Sequence, residues 1–231
     1  MSELAEALGH AARLLAAFDS GVGEIVFLSL EVSCLAVALA VLCGFPLGAA
    51  LALYAFPGRR AVVILANALM GLPPVVVGLA VYLLLSRSGP LGGLGLLFTP
   101  AAMVIAQWVL LTPIITALTR QVVEDLWEEY EDELRSLGST RAQAIGTLLW
   151  EGRYRLMTAV LAGFGRAIAE VGAVLIVGGN VAHATRVMTT AIALETAKGE
   201  LALALGLGAV LLTLALLINA VAYLTRDLAR A

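Results

Sequence analysis

Charge is what this sequence has least of. Asp, Glu, Lys and Arg make up 13% of its 231 residues, about half the roughly 25% of an ordinary soluble domain. Hydrophobic residues reach 61% and the mean hydropathy is +0.98, which excludes a water-soluble globule. A basic surplus is missing too. The net charge is -3 and the pI is near 5.4, so nothing would neutralise the phosphates of a nucleic acid partner. Cysteine is reduced to Cys34 and Cys43. On one helix their Cα atoms would stand about 13 Å apart, beyond the roughly 7 Å that a disulfide tolerates, so both read as small membrane-buried hydrophobes. Histidine occurs only at positions 10 and 183, with no HExxH or CxxC pairing. No metal site is therefore expected, and no nucleophile, base and metal set for a membrane enzyme is present. A Gly-x4-Gly-Lys-Ser/Thr stretch is also missing, so the chain is not expected to bind ATP through a P-loop or to carry a cofactor of its own.

Long apolar runs are abundant. A bilayer core of about 30 Å takes about 20 apolar residues as a helix, and five runs of that kind stand between charged punctuation. They extend from about Ile25 to Ala55, Ala61 to Leu85, Pro100 to Thr119, Leu156 to Val177, and Leu201 to Leu224. The first is longer than the membrane is thick, so it must tilt, project, or kink near Gly44-Phe45-Pro46. Orientation follows from Lys and Arg. With the N-terminus outside, nine of them lie inside (Arg59, Arg60, Arg120, Arg135, Arg141, Arg153, Arg155, Arg226, Arg230) and four outside (Arg13, Arg87, Arg186, Lys198). The expected fold is therefore an all-α, multi-pass, five-span membrane protein, N-out and C-in.

Residues 1–23 are set apart from the domain at 24–231. Leu4, Leu8, Ala11, Leu15 and Phe18 recur at helical spacing, with Glu3, Glu6, His10 and Arg13 off the stripe. That pattern predicts an interfacial amphipathic helix. A signal peptide fits badly with Glu3 and Glu6 and no basic start; a sixth span is the main rival.

Residues 120–155, between the third and fourth spans, are far more than a hairpin needs. Glu124, Asp125, Glu128, Glu129, Glu131, Asp132 and Glu133 crowd the first part, yet Leu126, Tyr130, Leu134 and Leu137 recur at steps of four, four and three. The segment is thus expected to be an amphipathic helix. Gly138 is placed to end it as a C′ glycine. Thr140 and Gln143 have the spacing of a capping box opening a second helix through Ile145, Leu148 and Leu149. Helix, glycine turn, helix on the cytoplasmic face is either a solvated hairpin or a docking element whose ridge enters a partner's groove.

At this point the sequence resembles a known family. The stretch from Asp132 to Gly138 (DELRSLG), with the apolar run to Leu149, looks like the EAA loop of ABC importer permeases, although Glu133 and Leu134 replace the usual alanines and Trp150-Glu151 the usual Leu-Pro. Asn67 to Gly78, Leu83 to Gly95, Gly163 to Asn180 and Met188 to Glu200 are similar to the permeases of tungstate importers, and more distantly to molybdate and sulfate permeases. The resemblance implies a type I ABC transmembrane domain, working as a homodimer in the cell inner membrane. It also implies two cytoplasmic ATPase subunits holding ATP and magnesium, and an extracytoplasmic oxyanion-binding protein. The implied ATPase-coupling residues are Leu126, Glu128, Glu129, Tyr130, Asp132, Glu133, Leu134, Gly138, Ser139 and Thr140.

Pathway candidates come from polarity inside apolar runs. Arg166 sits near mid-depth of the fourth run and Glu170 one helical turn on, expected on the same face. Such charges face a partner, cavity or bundle interior; they either lock packing as an ion pair or line an oxyanion path. The Gly71-Leu72-Pro73-Pro74 break frees backbone groups within a span, as a gate or as a packing kink. Asn67, Gln107, Thr112, Thr116, Thr189 and Thr190 either coat a weak path or hold helices together. A stand-alone secondary anion transporter is the competing class. It would show inverted repeats and coupling acids at mid-membrane, and no repeat is visible.

Overall fold

A computed structural model of the chain describes residues 20–228, and every regular element among them is helical. Helix α1 is Ser20–Leu53, α2 Arg59–Leu69, α3 Pro74–Leu85, α4 Pro100–Ser136, α5 Arg141–Glu151, α6 Arg153–Ile168, α7 Gly172–Gly178, α8 Met188–Lys198 and α9 Leu201–Leu228, with a short 3-10 turn at Gly92–Leu94. The segment 1–23 lies outside the described residues except for its last four, which form the first turn of α1.

Among the described residues three helices, α1, α4 and α9, are long and apolar enough to cross a membrane alone. Two pairs, α2 with α3 and α6 with α7, qualify only when each is taken as one broken span, which brings the number to five. Pro73 and Pro74 explain the first break. The chain tightens into i to i−3 bonds at Met70, Gly71 and Leu72, and Pro74 opens α3, where a missing N–H costs nothing. Pro46 and Pro113, by contrast, sit inside continuous helices.

Two expectations are corrected. The third span does not stop at Thr119. It runs on into the acidic stretch as one helix of 37 residues, about 55 Å long, because no helix breaker intervenes before Gly138. Arg166 and Glu170 do not share a helix, because α6 ends at Ile168. The Glu170 carboxylate accepts the Ala173 N–H at 3.0 Å and its carbonyl accepts the Thr189 hydroxyl at 2.8 Å, bonds that replace those of a continued helix.

The described chain forms two compact units. One comprises residues up to 34, 74–107 and 168 onward. In it α3 packs on α7, where a Cβ at Gly78 would lie 2.7 Å from Ala173 Cα. In the same unit α8 packs on α9, and Ser29 Oγ of α1 accepts the Met188 N–H at the start of α8, at 2.8 Å.

The other unit comprises 35–73 and 108–167. Here α1 crosses α4 on a face without side chains. A Cβ at Gly44 would stand 2.7 Å from Ile115 Cγ2, and one at Gly48 2.6 Å from the Thr116 carbonyl oxygen. Small residues of this kind let helix backbones meet where hydrophobic contrast with lipid is lacking. Beyond that crossing Ala49, Leu53, Val123, Leu126, Ala144 and Leu148 form a buried cluster, against which Trp127, Tyr130, Leu134, Ile145 and Leu149 pack.

Candidate functional site

The helix, turn and helix of residues 126–151 lie wholly within the second unit. The turn is built by backbone chemistry. After Ser136 the Gly138 N–H bonds to the Arg135 carbonyl and the Ser139 N–H to the Leu134 carbonyl, both at 3.0 Å, with Gly138 at φ +73°. This is a Schellman closure, in which the residue at C′ must be left-handed. Thr140 then caps α5. Its N–H donates to Gln143 Oε1 at 2.9 Å and its hydroxyl accepts the Gln143 N–H at 3.4 Å, the reciprocal pair that the spacing predicts.

The two faces of the C-terminal part of α4 separate cleanly. Leu126 is buried, and Tyr130 and Leu134 are half-buried against the cluster. Leu126 therefore fixes the hairpin rather than presenting itself to a partner. Leu137 breaks the expected ridge: it is 81% exposed, because the helix has ended one residue earlier and its direction is set by the turn. Glu128, Glu129, Asp132 and Glu133 are all exposed. The neighbouring Glu129 carboxylate, which also accepts its hydrogen bond, pushes the Tyr130 hydroxyl above its ordinary range. Thr140 is exposed and Ser139 half-buried, so the hairpin tip offers an acidic face, Leu137 and a capped turn.

Three charged residues at its base escaped the reading of the sequence as site residues. Arg59 donates through Nε to the Leu51 carbonyl at 2.7 Å and through Nη2 to the Ala52 carbonyl at 3.4 Å, so it caps the C-terminal end of α1. The same guanidinium pairs with Glu124, whose other carboxylate oxygen pairs with Arg120. The i, i+4 spacing of Arg120 and Glu124 was the available local signal; the partner at Arg59 is 65 residues away and left none.

The pathway candidates are scattered over both units. Asn67 is exposed and donates to the Val63 carbonyl one turn back, at 2.8 Å, and Thr112 does the same to Trp108, at 2.7 Å. Thr116 is buried, and its hydroxyl has no hydrogen-bond partner among the described residues. Gln107 is buried and Arg166 half-buried. Glu170, Thr189 and Thr190 come together in the first unit. Besides the bond from Thr189 to Glu170, the Thr190 hydroxyl bonds Val187, and its carbonyl accepts from Asn180 at 3.3 Å. Pro73 and Pro74 form the break itself.

No family model matches the chain. Individual proteins do. A probable anion ABC transporter permease protein of Haloferax volcanii is 42% identical over 209 residues, covering 88% of this chain and 90% of that protein. The tungstate uptake system permease protein TupB of Peptoclostridium acidaminophilum is 42% identical over 223 residues, 96% of this chain and 98% of the relative. More distantly, the sulfate transport system permease protein CysT of Salmonella typhimurium is 29% identical over 172 residues, 71% of this chain and 62% of the relative.

Proposed function

This chain belongs to the family of anion ABC transporter permeases, and from that premise we propose that it is the membrane subunit of an ATP-driven importer of tungstate. The observation that carries the reading is the 42% identity over 96% of the chain with a tungstate uptake permease. The 29% identity to a sulfate permease makes sulfate, or the equally tetrahedral molybdate, the second reading. The working assembly is two copies of this chain, two cytoplasmic ATPase subunits, and an extracytoplasmic protein that delivers the oxyanion. The N-terminus faces outward and the C-terminus inward.

The hairpin geometry supports ATPase coupling. Its acidic face suits basic groups on a partner, which sets register and encounter more than affinity. The acidic stretch and an apolar span are one helix, α4, so a push on residues 126–136 reaches the span without an intervening loop. Alternating access then follows from ATP-dependent movement of the hairpins in the two copies. Affinity capture of the tagged full chain in mild detergent tests the assembly: the ATPase subunit should come down with it. Capture without any ATPase, together with anion uptake by this chain alone in vesicles, would contradict the reading and match a secondary transporter.

A further inference from the structure

A cavity in the unit that carries α3 and the start of α4 is lined by none of the residues assigned above. It measures about 650 Å³ and is lined by Tyr82, Ser86, Arg87, Ser88, Gly92 and Phe98, among others. Among the described residues that line it Arg87 is the only charged one, with two hydroxyls flanking it in sequence. None of the described residues lining it carries a carboxylate. A second cavity in the same unit, about 300 Å³, contains Arg186 and His183 but also Glu24 and Glu195. There Glu24 Oε2 sits 2.7 Å from His183 Nδ1, so an entering anion would meet carboxylates that repel it. The two cavities thus offer opposite chemistry to an oxyanion.

The loop around Arg87 is built rather than loose. The Gly89 N–H bonds the Ser86 carbonyl at 2.8 Å and the Leu91 N–H returns to the Leu84 carbonyl at 3.0 Å. A Cβ on Gly89 would overlap the Leu83 carbonyl and one on Gly92 the Ser86 carbonyl, so only glycine lets the chain fold back so tightly. Phe98, at φ +62°, is held by its N–H to the Val177 carbonyl at 3.0 Å, and its ring meets Tyr82 edge-on at 6.2 Å between centroids. Ser86 spends its hydroxyl proton on the Leu83 carbonyl at 3.0 Å, while Ser88 Oγ stands 3.4 Å from Ser86 Oγ. A guanidinium presents several donors in a fixed fork suited to oxyanions, and Ser88 adds a hydroxyl.

We propose that this cavity is a reception site for a tetrahedral dianion, in which Arg87 and Ser88 hold the ion as it passes from its delivery protein to the membrane path. The inference rests on the permease reading and on the orientation that places Arg87 outside. At about 30 Å³ per water the cavity holds an oxyanion with part of its hydration shell. It therefore captures weakly and raises local concentration rather than trapping the cargo.

The test measures retention of radiolabelled tungstate by the full chain in lipid nanodiscs, without delivery protein, at fixed ionic strength. Saturable retention is expected for wild type, and Arg87→Gln should weaken it by at least about tenfold, with Arg186→Gln within about twofold of wild type. Arg87→Lys should retain part of the affinity, and ATPase co-purification of each variant controls for folding. No saturable retention by wild type, or equal losses in Arg87→Gln and Arg186→Gln, would overturn the site. So would unchanged tungstate retention in Arg87→Gln with lost transport, which assigns Arg87 to docking of the delivery protein. ATP-dependent uptake in parallel vesicles separates the two levels: uptake without retention removes the reception site alone, whereas no ATP-dependent uptake removes the permease reading.

Discussion

At the scale of single residues, local geometry constrains what particular groups can do. Gly138 holds φ +73° with nothing within 4 Å of where a Cβ would be, so any penalty there comes from the backbone and not from crowding. Valine should cost about 1–3 kcal/mol in that conformation, whereas asparagine tolerates it. Gly138→Val is expected to insert normally yet lose most substrate-stimulated ATP hydrolysis, and Gly138→Asn to retain it; equal activity of the two variants would refute the role of the turn. Glu170 makes a second case. Its carboxylate is buried and bonds the Ala173 N–H. Glu170→Gln keeps an accepting oxygen, but Glu170→Ala leaves a buried N–H unsatisfied, a loss of about 1–3 kcal/mol. Thermal unfolding in detergent should rank alanine clearly below glutamine.

At the scale of elements, what was legible in the sequence was local. The Schellman turn at Gly138 and the capping box of Thr140 and Gln143 depend on residues within five positions of one another, and the spacing alone announces them. The Pro73-Pro74 break is equally local. Leu137 was misplaced because heptad-like spacing does not say where a helix stops. Glu170 was misplaced because four-residue spacing implies a shared face only while the helix continues, and neither Ala169 nor Val171 warns of the break. The place of Arg59 beside Glu124, and the bare face of Gly44 and Gly48 under Ile115 and Thr116, were illegible because the residues that meet there lie far apart along the chain. That glycine face yields a prediction: Gly48→Ala puts a methyl against the Thr116 carbonyl and should destabilise by about 1–3 kcal/mol, as overpacking does. A Gly48→Ala protein melting with wild type would show that α1 and α4 need no such close approach.

At the scale of the whole molecule, the apolar surface that would be a liability in water is an asset in lipid. Phe27, Leu42, Leu212 and Leu216 are each at least 66% exposed on α1 and α9, as expected of faces turned to acyl chains. The distribution of Lys and Arg between the segments predicts an N-out, C-in orientation. With Cys34 and Cys43 replaced by alanine, a cysteine at Ser88 should react with an impermeant thiol reagent from outside intact cells, and one at Ser136 only after permeabilisation; the opposite pattern would invert the topology. The central claim, ATP-driven import through this chain, is tested most directly by tungstate uptake into vesicles that hold the chain and its ATPase, with ATP enclosed and the oxyanion-binding protein outside. The account predicts accumulation that requires both ATP and the binding protein and that is lost in Gly138→Val. Accumulation that persists without ATP or without the ATPase subunit would contradict it.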